Sequence, residues 1–226
     1  MYQISNFLDN DDVAVLSALG PFQVIEYQRD LSVTPNSAMQ AYYCAQMNVK
    51  KRQLVCDLSK ANVTIQAGAM QWMLGNVNAT TGIKGVTDLL GKAMRGKASG
   101  ESTIKPEYTG DGLLVLEPTY KYLILLDCAD WGGSVVLDDG LFLACDSNLK
   151  HKAVMRSGGE GLFNLSLNGS GTFCIESDCP REELVEITLQ NDVLKIDGNY
   201  AIAWSGSLDF TVERSGKSLI GSAASG

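Results

Sequence analysis

The sequence predicts an all-β fold, mainly antiparallel and built from internal repeats. Three observations carry that prediction. The 226 residues hold 23 glycines but only 5 prolines, a balance that suits many tight turns between short strands. Short apolar runs rich in Val, Ile, Leu and aromatics recur along the chain, bounded by Gly, Asp or Asn, as strands are. Two glycine-bearing stretches also recur at one displacement. "TGDGLLVLEP" at 109–118 and "NGSGTFCIES" at 168–177 both read polar, Gly, x, Gly, apolar run, Glu. Gly110 and Gly169, Gly112 and Gly171, Glu117 and Glu176, Gly100 and Gly159, and Glu101 and Glu160 are all 59 positions apart.

Taken in order, the chain starts with the acidic "MYQISNFLDNDDVAVLSALG", which has neither a basic leader nor a long apolar run. The sequence therefore reads as a cytoplasmic protein without a spanning helix. "VTIQA" (63–67), "LLVLE" (113–117), "KYLILL" (121–126), "LFLAC" (141–145), "FCIES" (173–177), "LVEITL" (184–189) and "AIAWS" (201–205) are the expected strands. Asp139-Gly140 and Asp197-Gly198 are hairpin signals, because Gly readily takes the positive φ of such turns. One segment departs from the strand pattern: in "GVTDLLGKAMRGK" (85–97), Val86, Leu89, Leu90, Ala93 and Met94 fall at helical spacing, which predicts one short helix. The expected layout is a single domain over 1–226 with repeats at about 20–118, 119–178 and 179–226, the third incomplete. One such unit cannot cover both faces of its own strands, so neighbouring units should share a core.

Composition limits the function classes. With 26 acids against 18 bases, the formal charge of −8 repels a phosphate backbone, so nucleic-acid binding is not expected. The cysteines at 44, 56, 128, 145, 174 and 179 include no C-x-x-C pair and read as reduced core thiols, with no metal site. His151 is the only histidine, so any Cys-His or Ser-His-Asp mechanism must pass through it. It lies in "NLKHKAV", read as a polar patch between strands, and Cys128 and Cys145 fall in apolar stretches.

Both Gly-x-Gly pairs lead into strands, whereas a phosphate loop opens a helix. The glycines, including those of "MRSGGEGLFN" at 155–164, are therefore read as bends. A paired-carboxylate hydrolase would draw on Asp138, Asp139, Glu117 and Glu176, but turn and repeat positions account for these acids. Trp72, Trp131 and Trp204 are expected to cap the sandwiches. No residue is assigned a catalytic, cofactor-binding or metal-ligating role, and no cofactor is expected.

At "QAGAMQWMLGNV", the Gly-rich segment to "GEST", "LDDGLFLACDSNL", "GGEGLFNLSLNGSG" and "AIAWSGSLDFTVE", the chain resembles a widespread bacterial family. That family is related to the yeast altered-inheritance-of-mitochondria protein twenty-four, and the likeness covers roughly 20–226. It implies a fold like that of the tryptophan RNA-binding attenuation protein, with three β-sandwich repeats about a pseudo-threefold axis. It also implies a link to mitochondrial inner-membrane organisation among the mitochondrial members.

The function expected is a non-enzymatic scaffold or binding module that engages an unknown protein partner or itself. Residues 85–97 are the candidate contact with a membrane surface. The alternative is a small-ligand-binding protein or enzyme with a pocket between repeats.

Overall fold

Side chains alternate across a strand, so a strand between two apolar layers reads apolar at every position and an edge strand does not. The computed structural model describes residues 2–80, 105–138, 140–155, 163–197 and 200–211. These hold β1 (Val13–Leu19), β2 (Phe22–Tyr27), α1 (Ala38–Gln46), β3 (Arg52–Asp57), β4 (Val63–Ile65), β5 (Met70–Thr80) and β6 (Glu107–Leu116). There follow β7 (Tyr122–Asp127), β8 (Ser134–Leu137), β9 (Phe142–Asp146), β10 (Lys150–Met155), β11 (Phe163–Asn168), β12 (Thr172–Ser177) and β13 (Ala203–Ser205). Short 3₁₀ turns occupy Cys128–Trp131 and Arg181–Glu183. Every described strand pairing is antiparallel.

The strands form two sheets. The larger runs β1-β2-β3-β6-β4-β9-β12-β7, with β5 added along β6. It curls until β7 lies against β1, β2 and β3, giving a nearly closed, barrel-like sheet. The smaller sheet runs β10-β11-β8-β13.

One core fills the curl, with Phe22, Val24, Leu54, Cys56, Ile65 and Leu114 among its residues. A second lies between the outer face of β7, β9 and β12 and the smaller sheet, through Phe142, Leu165, Leu167, Phe173 and Ile175. Strand β12 serves both layers: Cys174 points into the first core, Phe173 and Ile175 into the second. Each large apolar side chain buried in this way contributes roughly 1.5–3 kcal/mol. On the outer face of β2, β3 and β6, Ile25, Val55 and Val115 are covered by Phe7 and Trp72, whose rings meet edge to face at 5.2 Å.

At both Gly-x-Gly stretches the backbone is crowded, but only the second is a bend. Gly110 has φ +121°, and a Cβ there would lie 2.0 Å from the Asn76 carbonyl oxygen; Gly169 has φ +129°, with the Asn148 carbonyl oxygen 3.1 Å away. Their consequences differ. Gly110 lies inside the continuous strand β6, which β5 follows from Thr80↔Glu107 to Met70↔Leu116. Gly169 lies between β11 and β12, where the chain passes from one sheet to the other. The described pairing resolves two sheets and does not by itself set out three like units.

Four local expectations change. Gly140 turns with φ +79°, but the flanking strands β8 and β9 belong to different sheets. The turn is thus a crossing between layers, because β8 is already held by β11 and β13 and β9 by β12 and β4. "KHKAV" is part of β10 and not a patch between strands. "LVEITL" (184–189) forms no strand, having no ladder partner among the described residues. Helix α1 was not foreseen: it buries no residue, so no apolar stripe announces it, and Ala, Gln and Met favour the helix by propensity alone. The expected helix at 85–97, the loop acids Glu101 and Glu160, Asp139 and Gly198 lie outside the described residues.

Candidate functional site

The curled sheet has two poles. At one, the β3–β4 loop (58–62) meets the β9–β10 loop (147–149). Antiparallel registers bring them together, because Val63 pairs with both Tyr108 and Asp146. The Ser147 amide donates to the Asn62 carbonyl at 2.9 Å, and the Thr64 and Ser147 hydroxyls lie 3.3 Å apart. Between the loops opens a cleft of about 510 Å³, lined by Ser59, Lys60, Asn62, Glu107, Asp146 and Asn148 among others.

The loops are held by their own acids. Asp57 accepts from the Ser59 amide and hydroxyl and pairs with Lys60 at 3.6 Å. Asp146 accepts from the Asn148 amide at 2.9 Å. Glu107 and Asp146 flank β4 from its two neighbouring strands, about 10 Å apart by the spacing of two strand steps. The lining offers carboxylate, amide and hydroxyl oxygens beside the ammonium of Lys60.

The other pole gathers buried charge. Glu26 and Arg52 face each other across β2 and β3 and are 5% and 2% exposed. Arg52 Nη2 lies 2.7 Å from Glu26 Oε2 and donates to the Asn48 carbonyl at 3.1 Å, and the guanidinium sits 4.2 Å from the centre of the Tyr122 ring. The remaining Arg52 nitrogen, Nε, is buried without a hydrogen-bond partner. The Thr119 and Arg52 backbones exchange both hydrogen bonds, at 2.7 and 2.9 Å, so one residue ties the chain just past α1, β2 and the β6–β7 connection together. Removing one partner of such a buried pair costs about 3–5 kcal/mol, which marks this cluster as structural.

The residues that the sequence singled out are dispersed. His151 is exposed on β10, whereas Cys128 and Cys145 are fully buried in the second core. Burial pushes the Cys145 thiol up to about 12, raises that of Cys128 and raises those of Cys56 and Cys174 well above the ordinary range, the opposite of an activated nucleophile. Asp138 accepts from Asn164 Nδ2 at 2.9 Å, Glu176 accepts from the Thr119 hydroxyl at 2.6 Å, and Glu117 is exposed. Each carboxylate thus keeps separate company.

Trp72 and Trp131 pack against cores, and Trp204 stacks on Phe210 with ring centres 4.2 Å apart. Among the described residues no three His, Cys, Asp or Glu side chains are placed to share a metal ion, and no helix is long and apolar enough to cross a membrane. Sequence reading missed the cleft and the buried pair. The first forms only when distant loops meet. The second left one trace, the charges of "EYQR" (26–29) and "VKKRQ" (49–53) at strand ends, which also describe an ordinary solvated rim.

With the fold in view, the family is decided by a model match over residues 45–226, described as mitochondrial biogenesis AIM24. The chain belongs to the AIM24 family. Among solved structures, it is similar to a crystal structure of a protein from Streptococcus pyogenes, 29% identical over 71% of this chain and 73% of that one, with a TM-score of 0.54. No curated protein matches the chain. The AIM24 match takes in both poles except for β2 and the residues before 45, so Glu26 of the buried pair lies outside it while Arg52 and the whole cleft lie inside.

Proposed function

We propose that this AIM24-family chain is a non-enzymatic interaction module, binding another protein or itself in a reducing, cytoplasmic compartment. The observation that carries the reading is where apolar surface is left open. After β12, Val185, Ile187, Val193 and Tyr200 are 85%, 52%, 77% and 77% exposed, and on and around α1 so are Leu31, Met39, Tyr42, Tyr43 and Met47. Scattered single apolar residues need no explanation, but apolar groups concentrated on two segments mark surfaces that bind. Six free cysteines, four of them buried, suit a reducing compartment.

The second reading is a small-ligand site in the polar cleft, favoured by its position between loops from the first and second thirds of the chain. Two experiments test the pair of readings. Pull-down with purified chain, compared with a variant carrying Tyr42→Ser, Tyr43→Ser and Met47→Ser, should lose partners if the apolar segments bind them. A metabolite panel read by thermal shift, with Glu107→Gln and Asp146→Asn as controls, reports on the cleft. Turnover of any panel member that these two substitutions abolish overturns the interaction reading.

A further inference from the structure

We infer that residues 184–189 act as an intermolecular strand, adding to the outer edge of β10 in a second copy of this chain. This rests on the interaction-module reading and names its partner. Three observations meet. "LVEITL" has strand chemistry, with β-branched Val185, Ile187 and Thr188, yet its middle four residues are exposed and it has no ladder among the described residues. Its first residue is anchored, because Leu184 packs on the second core, so the segment is held at the protein surface.

The smaller sheet supplies the acceptor. Among the described residues, strand β10 is the rim of the smaller sheet and pairs with β11 alone, and Lys150 and Lys152 along it are exposed.

Charge selects this pairing over others. Lysines on an edge strand discourage the approach of strands in general, since they are buried against whatever pairs there. "LVEITL" and the residues entering it carry Glu182, Glu183 and Glu186 against Arg181 alone, and Arg181 is already bonded to Glu186 at 2.7 Å. An acidic strand on a lysine-bearing edge is favoured in rate and in specificity, while two β10 edges repel each other. Main-chain hydrogen bonds supply affinity in strand addition, and alternate side chains supply selectivity. Because donor and acceptor are different surfaces, the contact is heterologous: it closes when two copies exchange strands or when a ring forms, and extends otherwise. Six residues of strand bury little area, so the assembly is concentration-dependent.

The test is sedimentation velocity on the full chain over a dilution series at low and physiological salt. Assembly above the monomer is expected, weakening as salt rises. The variant Lys150→Glu with Lys152→Glu, and separately Glu183→Lys with Glu186→Lys, should each weaken assembly at least tenfold. Combining all four should restore it. Ile187→Pro removes a strand amide from a segment that has no ladder in the protomer, so it should abolish assembly while leaving the melting temperature unchanged. A monomer at every concentration, or assembly indifferent to both charge reversals, overturns the inference. In either case partner capture through α1 would leave the broader reading standing, whereas turnover would sink that reading whatever the assembly state.

Discussion

Strand β12 and the segment that starts seven residues past its end have nearly the same chemistry and opposite fates. "TFCIES" (172–177) pairs with β7 on one side and β9 on the other and is buried at nearly every position. "LVEITL" (184–189) is equally rich in strand-favouring residues but stands open, with Val185 85% exposed. Propensity does not separate them. What does is the presence of two partner edges and two apolar layers, since β preference measures fit to a half-built surface more than any intrinsic backbone tendency.

The largest expected effect is on thiol reactivity across that boundary. Cys174 in β12 is fully buried and Cys179, just past the strand, is exposed. Burial pushes the thiol of Cys145, on the neighbouring β9, up to about 12, so it stays protonated near neutrality, where the thiolate is the reactive form. Iodoacetamide at pH 8 followed by peptide mass spectrometry should modify Cys179 within minutes and leave Cys56, Cys145 and Cys174 intact until denaturant is added. Prompt labelling of Cys174 in the folded protein would show that β12 is not held between two layers.

Next in size is the cost of truncating the two stretches. Phe173→Ala removes a side chain with no exposed surface from the second core and should destabilise by about 3–5 kcal/mol. Ile187→Ala, in dilute protein, should stay within about 0.5 kcal/mol, as surface changes do. Urea unfolding monitored by tryptophan fluorescence measures both. Equal effects would mean that 184–189 is packed in solution.

The crowded glycines sharpen the contrast within the strands themselves. Gly110→Ala places a Cβ against the Asn76 carbonyl at positive φ, and a backbone conformation so strained for other residues costs about 1–3 kcal/mol. Gly169→Ala meets a looser neighbour, at 3.1 Å, and should cost less by the same measurement. Reversal of that order would mean that the passage between sheets is tighter than the β5–β6 crossing at Gly110.

Much of this was legible beforehand, and the limits are instructive. The strand class, the packing of Trp72 and Trp131 and the burial of Cys56, Cys128, Cys145 and Cys174 follow from alternation and apolar neighbours, which are local signals. Partner choice is not local. Asp139-Gly140 signalled a hairpin, yet the strands it joins lie in separate layers, and "LVEITL" reads as a strand that has nowhere to pair. The cleft depends on β4 being flanked by both β6 and β9, contacts spanning some 40 and 80 residues. The buried Glu26–Arg52 pair needs α1 and the β6–β7 connection to close over it. Neither leaves a mark within any short window.

The smallest effect belongs to the rim farthest from the cleft, where ion pairs hold strand ends in place of a second apolar layer. Lys51 lies 2.5 Å from Asp30, and its hydrogen bond, helped by one from Ser32, holds the Asp30 carboxyl below its ordinary 3.8. Folding therefore favours the ionised form. The contribution is complete above the unfolded value near 3.8 and is lost as pH falls through the lower folded value. Such partly exposed pairs contribute about 0.2–1 kcal/mol. Asp30→Asn should accordingly lower the urea midpoint slightly at pH 6 and converge with the unsubstituted protein below pH 3, other carboxylates being common to both. A difference that persists undiminished at the acid end would mean that Asp30 acts through its turn with Ser32, which an amide can keep, and that ladder pairing alone secures this rim as it does β12.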